Sequence, residues 1–116
     1  MSDSRRDREY LADITSAIGR ILTYTSEISY EEFLLDTKTQ DAVIRNLQVI
    51  GEATKKLSKS QKQSYPSLPW REMAGLRDRL VHEYFGINSE IVWTVAENDL
   101  PPILPQIDAL ASAAEG

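Results

Sequence analysis

The 116-residue chain contains no cysteine, which excludes disulfides, zinc–thiolate sites, iron–sulfur clusters and a cysteine nucleophile. It has a single histidine, His82, so one chain cannot assemble a multi-histidine metal site. It has no apolar run near the ~18 residues needed to span a bilayer, and Met1–Tyr10 is charged rather than signal-like. A cytoplasmic protein with no membrane partner is expected. No segment alternates with period two for long enough to suggest a sheet, and no repeat or long linker divides the chain. What is present is ordinary: 41% hydrophobic and 27% charged residues, as in a globular protein. One domain over residues 1–116 is expected, long enough to bury roughly two-thirds of its unfolded surface.

Thirteen basic against eighteen acidic residues give a net charge of −5, unlike a generic nucleic-acid coat protein. The distribution is uneven. Residues 45–62 carry Arg45, Lys55, Lys56, Lys59 and Lys62 against Glu52 alone, a local +4. Residues 86–116 carry five acids and no base. Because salt screens distant charges over about 8 Å, a basic face on an acidic body can still hold a polyanion. The same lysines also suit the negative end of a helix dipole.

Apolar spacing predicts an all-α protein, an up-and-down bundle of four to five helices. Leu11, Ile14, Ile18, Ile21 and Leu22 recur at three and four, marking a helix over about residues 5–25. Ser29–Tyr30–Glu31–Glu32 has capping-box form and opens a short helix ending near Asp36. Thr37–Lys38–Thr39–Gln40 offers a second box, leading into a stripe of Val43, Leu47, Ile50 and Leu57 flanked by Ile44 and Ala53. Gly51 within that stripe suggests a close helix–helix approach. The segment Ser64–Pro69 breaks the chain, Pro69 suits the first turn of the next helix, and Trp70, Met73, Leu76, Leu80 and Val81 give it a buried stripe. Gly86 then closes that helix, Asn88 caps another through Ile91, Val92 and Val95, and Pro101, Pro102 and Pro105 kink or restart the last apolar face at Ile103, Ile107 and Leu110.

The chemistry concentrates in Gly75–Gly86, where an arginine, the only histidine, acids and a tyrosine gather at a helix end. Asp78 and His82 are four apart and share a helical face, so the carboxylate can orient the imidazole and favour its protonated form. Arg77 and Tyr84, seven apart, stay nearly in phase if the helix persists. Arg77 and His82, five apart, lie about 140° around the axis and do not converge on one straight helix. If both serve one site, either the helix ends before His82 or a second copy of the motif completes it. A two-fold dimer would supply that copy and double the titratable groups available for acid–base chemistry. Read in isolation, the segment also fits a solvated ion-pair face with a surface histidine, and Tyr84 a half-buried aromatic.

The pattern Arg77-x4-His82-x-Tyr84 resembles the signature of the HEPN superfamily, specifically the HepT-like toxins of toxin–antitoxin pairs. Pro69–Leu76 before the motif, Phe85–Ile87 with Ile91–Trp93 after it, and Ala42–Ala53 upstream also resemble that branch, which extends the likeness over about residues 5–110. The resemblance implies a metal-independent, cofactor-free, all-helical homodimer that cleaves RNA between two motif copies. It implies Arg77 and His82 as the catalytic pair and Asp78 in a supporting position, where the branch commonly has asparagine. Tyr84 matches the tyrosine that a cognate minimal nucleotidyltransferase antitoxin modifies with AMP. A non-catalytic subunit that binds a nucleotide or presents Tyr84 to such a transferase is the alternative, and the chain's acidity and Asp78 fit it.

Overall fold

Seven α-helices form, the longer ones where the apolar stripes predict them, in a computed structural model that describes residues 3–82 and 89–115, with side chains at 5–76, 78 and 89–114. They are α1 (Asp3–Thr25), α2 (Tyr30–Leu35), α3 (Thr37–Lys56), α4 (Lys59–Gln63), α5 (Trp70–His82), α6 (Ser89–Thr94) and α7 (Ile103–Glu115). A π-helical turn, Val95–Asp99, continues α6. No strand occurs among the described residues. The long helices make the bundle: α1 packs against α3 and α7, and α3 packs against α5. The α6–π segment is the fifth member, touching α1, α2 and α3.

The predicted stripes are the core. Leu11, Ile14, Ile18 and Ile21 of α1 meet Val43, Leu47, Ile50 and Ala53 of α3, with Met73 and Leu76 of α5 and Ile103 and Ile107 of α7 closing the interior. Each such side chain contributes roughly 1.5–3 kcal/mol by leaving water. Leu22, Ile44, Trp70, Ile91 and Leu110 pack partly buried at its margin, and Gly51 is buried within α3. Trp93 of α6 lies 5.1 Å from Phe33 and 6.0 Å from Tyr30, ring centre to ring centre, which fastens α2 to the bundle.

Helix ends show where local rules compete. At α2 the expected capping box forms: the Ser29 hydroxyl accepts from the Glu32 amide at 3.1 Å, and the Glu32 carboxylate accepts from the Ser29 amide at 2.9 Å. At α3 the expected box does not form, because the stronger acceptor one residue earlier takes the role. Asp36 is the N-cap, accepting from the Thr39 amide at 3.0 Å and the Thr39 hydroxyl at 2.6 Å. Gln40 instead donates to the carbonyls of Phe33 (2.8 Å) and Leu34 (3.2 Å), tying α3 back to the end of α2. Pro69 stands just outside α5 as its N-cap: its carbonyl accepts from the Met73 amide at 3.0 Å, and the helix starts at Trp70.

Two elements were not anticipated. The helix α4 is a single turn capped by Ser58, whose amide and hydroxyl also donate to the buried Asp7 carboxylate at 3.0 and 2.6 Å. The indole N–H of Trp70 then donates to the carbonyls of Lys62 and Tyr65, both at 3.0 Å, and so fixes the connection into α5. The π turn precedes Pro101–Pro102. In a regular α-turn the Pro101 ring would meet the Glu97 carbonyl, and the wider turn, with the Leu100 amide on Val95 at 2.9 Å, avoids this. The chain restarts at Ile103, so Pro105 falls in the first turn of α7, where its missing N–H has no intrahelical partner to lose. The expected stop at Gly86 and cap at Asn88 lie outside the described residues.

The Thr39 hydroxyl, then the Thr39 amide, hold the Asp36 carboxyl below its ordinary range, with a smaller pull from Lys38. A depressed folded value means that Asp36 adds stability above about pH 4, which is lost as pH falls through that folded value. Thr39→Val should move the Asp36 titration partway back up in a carboxyl-detected NMR experiment; an unchanged midpoint would show that the hydroxyl is not the cause.

Candidate functional site

All three motif residues that the structure describes stand on one element. Arg77, Asp78 and His82 belong to α5, which runs without a break from Trp70 to His82. Its start is held by the Pro69 cap and the Trp70 indole, and its inner face by Met73 and Leu76 in the core. The helix therefore reaches His82 before it ends. Five residues on such a helix place Arg77 and His82 about 140° apart around its axis. The side chains of Arg77 and His82, and the whole of Tyr84, lie outside the described residues.

Asp78 is described, and its setting was not visible in the sequence. The Lys55 ammonium of α3 lies 2.9 Å from each carboxylate oxygen, Oδ1 and Oδ2. The two side chains are 40% and 50% exposed, so the pair sits at the rim of the α3–α5 contact rather than within it. At that exposure solvent screening limits its stabilising value to roughly 0.2–1 kcal/mol. Its weight is electrostatic: the acid beside Arg77 comes with a cation already on it. No local spacing rule links residues 23 apart, so the sequence offered Lys55 only as one lysine of a basic stretch.

That stretch is not one patch. Arg45 lies ten residues before Lys55 on α3, about 15 Å along the axis. Lys55 and Lys56 occupy the last turn of α3, and Lys59 and Lys62 lie on α4 immediately after it. Lys56 and Lys59 are exposed. The basic group next to the motif helix is thus the end of α3 with α4, where four carbonyls at a helix end also favour cations. On the other flank of α5, a groove of about 480 Å³ runs between Glu72, Met73 and Leu76 and the Val95–Ile103 segment, with Gln106 at its edge. Among the described residues, no group of three His, Asp or Glu side chains is placed to hold a metal ion, and no helix is long and apolar enough to cross a membrane.

An all-helical bundle is the framework that the motif's resemblance implied. Residues 14–110 match the HepT-like ribonuclease family, and the chain belongs to that family. It is similar to a candidate RNase of Methanocaldococcus jannaschii, 45% identical over 109 residues that cover 94% of this chain and 90% of that one. It is 44% identical over 106 residues to a candidate ribonuclease HepT of Thermococcus cleftensis, covering 91% and 96% of the two chains. A candidate RNase of Caldanaerobacter subterraneus is 37% identical over 100 residues, or 86% and 89%. No solved structure matches the chain significantly. The helical fold is consistent with the HEPN-like architecture that the resemblance implied.

The Lys55–Asp78 pair predicts a small thermal signature. Lys55→Gln or Asp78→Asn should each lower the melting temperature by no more than about 5 °C, matching a loss of up to roughly 1 kcal/mol. A fall beyond about 10 °C by calorimetry would mean that the pair holds α5 onto α3, contrary to its placement at the rim.

Proposed function

We propose that this chain, folded as a single domain, is a cytoplasmic toxin-type endoribonuclease that works as a homodimer and needs no metal ion. The observation that carries this reading is the unbroken helix from Trp70 to His82 in a member of a ribonuclease family. Of the two ways to bring Arg77 and His82 to one phosphate, an early helix end is disfavoured by that continuity. The other, a second copy of the motif, is therefore preferred. In this reading Arg77 of one protomer and the partner's His82 act on the same linkage across a two-fold axis.

With no cysteine in the chain, the nucleophile is best supplied by the substrate. The ribose 2′-OH attacks the adjacent phosphorus in line, an O2′–P bond forms and the P–O5′ bond breaks. The products are a 2′,3′-cyclic phosphate and a 5′-OH, with one proton leaving O2′ and one reaching O5′. Arg77 offsets the charge that grows on the phosphoryl oxygens, a role its planar fork suits better than an ammonium. The partner's His82 imidazole takes part in the proton transfers at that linkage. The exposed Lys56 and Lys59 help hold flanking phosphates in this reading. Asp78, which with the chain's acidity fits a non-catalytic binding subunit, has its charge offset by Lys55, and this weakens that alternative.

Control follows from charge and bulk. A cognate minimal nucleotidyltransferase antitoxin transfers AMP from ATP to the Tyr84 hydroxyl and releases pyrophosphate. The added phosphate and nucleotide then exclude RNA from the motif face by repulsion and by bulk.

Two experiments test this reading. Arg77→Ala and His82→Ala should each lower kcat/KM for RNA cleavage by at least about 100-fold, some 3 kcal/mol of transition-state stabilisation, with wild-type cleavage unchanged by EDTA. Near-wild-type cleavage by both variants, or loss of activity with EDTA, would contradict it. Incubation with the partner transferase and ATP should add AMP to the wild type by mass spectrometry and leave Tyr84→Phe unmodified; AMP on another residue would refute the assignment.

A further inference from the structure

An acid one residue from Arg77 poses a physical problem for an RNA-binding site. An uncompensated carboxylate there repels the incoming phosphate and competes with it for the guanidinium. The fold answers with Lys55, which approaches from a different helix and meets both oxygens of Asp78 at 2.9 Å. Contact with both oxygens bears on the carboxylate's orientation as well as its charge. The pair adds little to stability where it sits, half exposed at the rim. Its location, on the same helical face as His82 four residues on, is where charge bears on the reaction.

We propose that Lys55 is a positioning residue of the RNA site, neutralising and orienting the Asp78 carboxylate so that a phosphate can approach the motif face of α5. This inference rests on the ribonuclease reading and deepens it. The lysines of the basic stretch then differ in what they serve. Lys55 offsets the protein's own acid, while the exposed Lys56 and Lys59 face the polyanion.

The test uses the full-length protein and compares wild type, Lys55→Gln, Asp78→Asn, the double variant Lys55→Gln/Asp78→Asn, and Lys55→Arg. Binding is read with a labelled 2′-O-methyl RNA oligonucleotide, which lacks the attacking hydroxyl, and cleavage with the unmodified RNA. Lys55→Gln removes the cation that meets both Asp78 oxygens and should weaken binding roughly fivefold at low salt, with KM rising more than kcat falls. Removing both charges should recover most of that loss, and Lys55→Arg should stay near wild type. Lys38→Gln removes the same charge some 25 Å away along α3 and should change binding little.

A double variant as weak as Lys55→Gln would overturn the proposal, because Lys55 would then contact RNA directly. An unaffected Lys55→Gln, or an equal effect from Lys38→Gln, would overturn it too. Wild type that binds the oligonucleotide but never cleaves RNA would defeat the ribonuclease reading while leaving the charge compensation measurable by binding. Wild type that does not bind would defeat both.

Discussion

A five-residue step along unbroken helix from Arg77 to His82 is the constraint on which the proposed site depends. A helix turns about 100° per residue, so these two positions lie about 140° apart around the axis of α5. No rearrangement of the bundle changes that while the helix persists to His82. Under the proposed ribonuclease reading, the two positions of one copy do not share a face of α5. In the proposed homodimer, pairing of two copies turns this phase difference from an obstacle into the geometry of a shared cleft.

The rest of the fold serves to hold α5 in place. Its inner face is set by Met73 and Leu76 in the core, and its start by the Trp70 indole on two carbonyls. Its outer rim meets α3 through Lys55 and Asp78. Apolar burial supplies the stability, and the polar contacts supply position. Asp7 shows the same division, since its buried carboxylate adds no apolar contact yet ties α1 to the Ser58 cap. A site that acts on phosphates needs this order, because a displaced cation loses more in function than in stability.

Much of this was legible in the sequence, and the reasons differ by residue. The α1 and α3 stripes were legible because burial imposes a period of 3.6 over five or more turns, which few other structures mimic. The cap of α3 was misplaced because Asp36 and Thr37 are both competent caps, and the Thr39 hydroxyl, whose side chain local pattern does not orient, favours Asp36. The helix α4 escaped because one turn leaves no periodic trace, and the π turn because it answers to prolines that follow it. The motif residues were legible through resemblance, whereas the Lys55–Asp78 pair joins two helices and is encoded by no local spacing.

The most direct test of the shared cleft is a purified heterodimer carrying Arg77→Ala on one protomer and His82→Ala on the other, assayed for RNA cleavage beside the two variant homodimers. If the groups act across the two-fold axis, one intact arginine–histidine combination survives, and the heterodimer should cleave RNA well above either homodimer. A heterodimer as inactive as both homodimers would contradict a site shared between two copies.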